Sequence, residues 1–148
     1  MRGTVRRERV IEVPAEEAWA VISRPELLHL WFPGIVACAV DGDTRTITLG
    51  SGLSLPETLL TNDPLQRRFQ YRIGGFFAEH LGTIDVVALG DARCLVIYSS
   101  DADPATMAIV LGGATGGALD ELARQLEGGA GPALDALSTP ASTDGATT

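Results

Sequence analysis

Between Ile35 and Ser99 the chain is cut into short strand-like segments by Gly, Asp, Asn and Pro, and directly afterwards one long helical pattern runs from about Pro104 to Glu127. Segments of that length and punctuation read as an antiparallel meander. Ile35–Val40 and Thr44–Leu49 meet at the hairpin Asp41-Gly42-Asp43, and Gly50-Ser51-Gly52 separates them from Leu55–Thr61. Asn62-Asp63-Pro64 precedes Arg68–Ile73, Gly74-Gly75 opens a longer loop, and His80–Leu89 and Arg93–Ser99 pair across Gly90-Asp91. Met107, Leu111, Ala114, Ala118, Leu122 and Leu126 recur at helical spacing, with Asp120, Glu121, Arg124 and Gln125 on the other side. The helix is therefore expected to lie along the sheet.

Upstream, Val5–Val13 reads as a β-branched strand ending at Pro14. Pro14 suits the first turn of a helix, Glu16 and Glu17 favour its dipole, and Ala18, Trp19 and Ile22 form its apolar stripe. Arg24-Pro25 ends that helix, and a second short one, Glu26–Leu30, runs into the turn Trp31-Phe32-Pro33-Gly34. Residues 128–148 have few large apolar groups and read as a disordered tail, in which Pro132–Leu137 forms at most a transient turn. With 148 residues, 45% of them hydrophobic, the chain accommodates one domain with a core, placed at 1–127.

Composition excludes several function classes. The formal charge of −8 does not supply the basic stripe that phosphate binding needs, so no nucleic-acid partner is expected. Cys38 and Cys94 have no second Cys or His at metal-ligand spacing, which predicts free buried thiols, no metal site and no metal cofactor. Met1–Arg7 lacks a secretory h-region, and the longest uncharged run, Ala105 to Leu119, contains four glycines and is shorter than the roughly 20 residues of a membrane span. A cytoplasmic protein without a membrane span, monomeric or homodimeric, is the expectation.

One strand, two short helices, six antiparallel strands and a long C-terminal helix, over about residues 4 to 127, resemble the START-like (SRPBCC) superfamily. The closest resemblance is to its bacterial polyketide cyclase/dehydrase and lipid-transport group, through Val13-Pro14-Ala15-Glu16-Glu17-Ala18-Trp19, Trp31-Phe32-Pro33-Gly34-Ile35, and Glu57-Thr58-Leu59 with Tyr71-Arg72-Ile73. The resemblance implies an α+β helix-grip fold: a curved seven-stranded antiparallel sheet wrapped around the C-terminal helix, with a cavity between them. A finer similarity is to the plant abscisic-acid receptors, where a Ser-Gly-Leu gate precedes a cavity-facing Glu, as Ser51-Gly52-Leu53 precedes Glu57 here. That matching also implies pocket-facing positions for Tyr71, Ile73, His80 and Tyr98. Ser54-Leu55 replaces the gate's Pro-Ala, the loop before His80 is shorter, and Phe32 stands where those receptors have a pocket Lys, so hormone recognition is not implied.

Glu57 is the lone carboxylate in Gly52-Leu53-Ser54-Leu55-Pro56-Glu57-Thr58-Leu59-Leu60. On a strand it shares a face with Leu55 and Leu59, but Leu60 lies on the opposite face, so parity leaves both a solvated and an inward carboxylate open. The resemblance favours the inward reading, with His80 and Tyr98 as the partners that a buried carboxylate requires. His80 is equally readable as an exposed loop imidazole, Tyr98 as a core tyrosine, His29 as surface, and Arg7 or Arg9 as sheet-edge charges or cavity-mouth groups.

The expected wall comprises Phe32, Ile35, Leu53, Glu57, Leu59, Tyr71, Ile73, His80, Tyr98, Met107 and Leu111, with Trp31, Phe69 and Val110 as further candidates. Gly112, Gly113, Gly116 and Gly117 each cost ~1 kcal/mol in a helix interior, which points to a kink, close packing on the sheet, or room for a ligand. The leading functional expectation is binding or transport of a small hydrophobic molecule, lipid- or polyketide-like. One alternative is a polyketide cyclase/dehydratase-type enzyme using His80, Glu57 and Tyr98 as acid–base groups, although no nucleophile motif or cofactor fingerprint accompanies them. The other is a protein-interaction module resembling the superfamily's chaperone activators, whose sign would be an exposed apolar patch.

Overall fold

The computed structural model describes residues 1–139. Seven strands form one antiparallel sheet in the order β1-β7-β6-β5-β4-β3-β2. They are β1 (Gly3–Ile11), β2 (Ile35–Asp41), β3 (Thr44–Leu49), β4 (Ser54–Asp63), β5 (Arg68–Ile73), β6 (Glu79–Ala88) and β7 (Cys94–Asp103). After β1 come α1 (Ala15–Ile22), a single 3₁₀ turn and α2 (Leu28–Trp31); after β7 come α3 (Ala105–Gly128) and α4 (Pro132–Ser138). This is the expected α+β helix-grip arrangement, with each hairpin where turn residues placed it.

α3 packs on β1 and β7, at one edge of the sheet. Gly112 explains part of the glycine content: a Cβ there would lie 2.8 Å from Val5 Cγ2, so β1 and α3 approach more closely than a larger residue allows. The Gly112 carbonyl accepts the Arg7 Nε–H at 3.0 Å, so Arg7 lies against the helix and not in a cavity mouth. Arg9 is an exposed partner of Asp120. Gly113 and Gly117 face open space, and no contact explains them.

The helix divides along its length. Ala118, Leu119, Leu122, Ala123 and Leu126 are buried in the core, whereas Met107, Leu111 and Ala114 in the first half front a cavity.

Two expectations about the C-terminal region are corrected. Gln125, expected on the outer side, is fully buried: its Nε2–H donates to the Leu30 carbonyl (2.9 Å) and its Oε1 accepts the Ala133 N–H (3.0 Å). The segment after Gly128 is not a tail throughout, because α4 packs on α1, α2 and α3 and buries Ala133. Gly129 in the left-handed conformation (φ 67°) ends α3 and turns the chain so that α4 reaches Gln125. α4 is held by Ala133, Leu134 and Leu137 packed on the core and by the Gln125 bond to the Ala133 N–H. The rest of the expected tail, 140–148, lies outside the described residues.

Candidate functional site

A cavity of about 420 Å³ opens between β2–β5 and the first half of α3. Its position follows from period-2 alternation. On β3 the threonines 44, 46 and 48 point away while Arg45, Ile47 and Leu49 point inward; on β4 the inward set is Leu55, Glu57 and Leu59. The β4–β5 register shifts between Leu59 and Thr61, leaving Leu60 unpaired and well exposed. Alternation continues through this irregularity, so Leu60 is simply an apolar residue on the outer face with Pro56 and Thr58.

The wall is apolar apart from Glu57, Tyr71 and Thr115. Phe32, Ile35, Leu53, Glu57, Tyr71, Ile73, Met107 and Leu111, all expected, contribute to it. Leu28, Pro33, Gly34, Ile47, Leu49, Leu55, Phe76, Phe77, Ala114 and Thr115 complete it. Leu53 and Phe76, 45% and 62% exposed, stand at the rim. Trp31 and Phe69 are core, and Val110 faces outward.

Glu57 is inward, and its partner is not the expected one. Arg45 lies directly opposite it across the β3–β4 ladder, and Arg45 Nε–H donates to Glu57 Oε1 at 2.7 Å. Each side chain is only 2% exposed. Burial pushes the Glu57 carboxyl above its ordinary range, and the adjacent guanidinium pulls it back. Arg45 stays charged: burial opposes the charge, but the charge and hydrogen bond of Glu57, together with Tyr71 and Tyr98, outweigh it, and its guanidinium carbon lies 5.4 and 5.1 Å from the ring centroids of Phe69 and Tyr71. Its Nη1 donates to the Pro25 carbonyl at 3.3 Å, while Nη2 is buried without a partner among the described residues.

Three expected wall residues do not reach the cavity. Leu59 lies opposite Tyr71 in the register and packs into the core. Tyr98 is fully buried, and its hydroxyl bonds that of Tyr71 at 2.7 Å. The two phenols, on β5 and β7, meet across the intervening β6 because β6 has Gly82 opposite Tyr71; a Cβ there would lie 2.4 Å from Tyr71 Cζ. Burial raises both phenols above their ordinary range, so both are protonated at neutral pH.

His80 fills a different gap. The β5–β6 ladder ends at Tyr71 and Gly82, and beyond it the Ile73 N–H donates to His80 Nδ1 at 3.0 Å. The imidazole thus substitutes for a missing ladder carbonyl, stacked near Phe77 and Tyr71 with ring centroids 5.0 and 5.6 Å away. Burial lowers it to about 4, so it is neutral at neutral pH with its proton on Nε2, which has no acceptor among the described residues.

The Arg45–Glu57 pair is what sequence reasoning missed. The signal was present in Thr44-Arg45-Thr46-Ile47-Thr48-Leu49, where Arg45 interrupts an otherwise apolar inward set. Among the described residues no group of three or more His, Cys, Asp or Glu side chains is placed to hold a metal ion, and no helix is long and apolar enough to cross a membrane.

The model of the family described as polyketide cyclase / dehydrase and lipid transport matches residues 2–138, a span that includes α4. No curated protein matches the chain. Among solved structures, XoxI from Bacillus cereus superposes with a TM-score of 0.77 at 22% identity, covering 82% of this chain and 94% of that one. Norcoclaurine synthase from Thalictrum flavum, in complex with dopamine and hydroxybenzaldehyde, gives 0.71 at 19% identity, covering 89% and 90%. A START superfamily protein from Mycobacterium smegmatis gives 0.62 at 20% identity, covering 84% and 94%. At these identities the structural likeness speaks for the fold, and the family match over nearly the whole chain carries the assignment: this chain belongs to the polyketide cyclase / dehydrase and lipid transport family, with the START-like fold.

Proposed function

We propose that the chain binds or transports a small hydrophobic molecule, lipid- or polyketide-like, in the cavity between β2–β5 and α3. The observation that carries this reading is an apolar chamber of about 420 Å³ whose wall includes one buried carboxylate, Glu57, with its partner Arg45 behind it. Ligand sites have that size and that sparse polarity. Norcoclaurine synthase, of the same fold, is seen with dopamine and hydroxybenzaldehyde, guests that such a volume accommodates. The free thiols Cys38 and Cys94 suit a reducing, cytoplasmic setting, which belongs to this proposal.

Acid–base catalysis by Glu57, His80 and Tyr98 together has less support. Of the three, only Glu57 is on the wall; Tyr98 is committed to Tyr71, and His80 to the Ile73 N–H.

Titration with the neutral fluorophore N-phenyl-1-naphthylamine tests the reading. Saturable one-to-one binding is expected in the wild type, and Ala114→Trp, which projects an indole into the cavity from an exposed helical position, is expected to weaken it at least tenfold with little change in melting temperature. Undiminished binding by a folded Ala114→Trp protein would place the probe elsewhere and sink the proposal.

A further inference from the structure

We propose that the cavity selects guests bearing a hydrogen-bond donor, an alcohol or an amine on an apolar body, and turns away carboxylates. This rests on the cavity being a ligand site, and deepens that reading. Its basis is how the polar groups around the chamber are already committed.

Glu57 accepts from Arg45 through Oε1 alone; Oε2 has no partner among the described residues and is the carboxylate oxygen left for a guest. Arg45, the charge an anionic guest would seek, is not part of the wall. Its Nε is taken by Glu57, its Nη1 by the Pro25 carbonyl, and its Nη2 is sealed from the chamber. An incoming carboxylate therefore meets another carboxylate, with the compensating cation behind it.

Thr115 points the same way. Its hydroxyl donates to the Gly112 carbonyl at 3.3 Å, which leaves its lone pairs available to a guest. The Tyr71 phenol is bonded to that of Tyr98, so this pair offers the chamber at most a neutral hydroxyl against a carboxylate charge. The side-chain atoms within reach are thus mainly acceptors, and a bound guest satisfies them only by bringing protons. Selectivity here comes from which atoms face the chamber, since the ion pair as a whole is neutral.

Calorimetric titration at pH 7.5 with four ligands sharing one bicyclic body tests this: 2-methylnaphthalene, 2-naphthalenemethanol, 2-naphthylmethylamine and 2-naphthoate. The alcohol and the amine are expected to bind at least about tenfold more tightly than naphthoate, the ratio that one hydrogen bond to a charged group supplies. Glu57→Gln should erase most of the amine's advantage over naphthoate. Because that change leaves Arg45 without its counter-charge, Thr115→Val is measured beside it and should cost the alcohol part of its advantage over 2-methylnaphthalene. Equal affinities, or naphthoate binding most tightly, overturn the donor inference while leaving the ligand site standing. A folded Glu57→Gln protein with an unchanged ligand order overturns the role given to Glu57. Failure of all four ligands to bind removes the site itself, and this inference with it.

Discussion

Gln125 and Ala133 are joined by a single hydrogen bond, side-chain Oε1 to backbone N–H at 3.0 Å, and that bond ties α4 to α3 at a fully buried position. The same amide donates to the Leu30 carbonyl at 2.9 Å, so one side chain connects α2, α3 and α4. Gln125→Ala should cost about 2–3 kcal/mol, because it leaves a buried donor and a buried acceptor unpaired. The neighbouring exposed change Glu127→Ala should stay within ~0.5 kcal/mol. Urea denaturation of both variants checks this, and equal midpoints would mean that Gln125 carries no such tie.

Removing residues 129–148 extends that argument. Ala133 is buried and Leu134 and Leu137 pack on the core, so truncation after Gly128 exposes apolar surface as well as freeing Gln125. The shortened protein should melt several degrees lower than the full chain by calorimetry, and an unchanged melting temperature would show α4 to be energetically idle.

The Arg45–Glu57 pair makes a sharper forecast. Breaking a buried pair by removing one partner costs about 3–5 kcal/mol, while replacing both with apolar groups is often close to neutral. Arg45→Met should therefore be severely destabilised at pH 7, and Arg45→Met with Glu57→Leu should recover most of the loss. Burial already raises the Glu57 carboxyl, and losing the guanidinium raises it further. A carboxyl raised in the folded state contributes stability below its unfolded value, and that contribution is lost as pH rises through the folded value. The Arg45→Met deficit should accordingly shrink between pH 7 and pH 5; chemical denaturation across that range measures it, and a pH-independent deficit would mean that Glu57 is not left charged.

Much of this fold can be read from residue order, because turn residues and period-2 alternation act locally. The hairpin at Asp41-Gly42-Asp43 and the run from Met107 to Leu126 are local in that sense. Glu57 with Leu55 and Leu59 was legible as one face, but which face was not, since the outer face also carries a leucine, the exposed Leu60. The positions of His80 and Tyr98 depend on events between strands distant in sequence: β6 joining β5 only from Gly82 onward, and a glycine that lets two phenols cross above it. No spacing within one segment encodes those. Gln125 shows the same limit, for its burial depends on a helix that begins seven residues later.

Gly82 gives a steric test of the phenol bridge. A methyl at this position would sit 2.4 Å from Tyr71 Cζ and 2.8 Å from its hydroxyl oxygen, so the ring must move and the Tyr71–Tyr98 bond must break. Gly82→Ala should cost about 1–3 kcal/mol as an overpacked site. Tyr71→Leu in the same chain removes the clashing ring, so the double variant should lose less than the sum of the two single losses. Strict additivity, read from thermal melts of the three variants, would show that the ring and the glycine do not depend on each other.

His80 sets the acid limit of the structure. Its Nδ1 accepts the Ile73 N–H, which only the neutral ring can do, and burial lowers it from 6.5 to about 4. For a base with a depressed folded-state value, the unfolded chain binds the proton more readily. Its contribution to stability is therefore complete above about 6.5 and is lost as pH falls toward 4. A difference of that size corresponds to roughly 3 kcal/mol over the window. His80→Asn presents a carbonyl oxygen near the Nδ1 position and has no proton to gain, so it should hold the Ile73 N–H while removing this term. Denaturant unfolding at pH 7 and pH 4.5 is the measurement: wild type should lose more stability than His80→Asn on acidification, the gap opening below pH 6.5. Equal losses in the two proteins would mean that the imidazole titrates alike in the folded and unfolded chains, and that its bond to the Ile73 N–H does not hold the ring neutral.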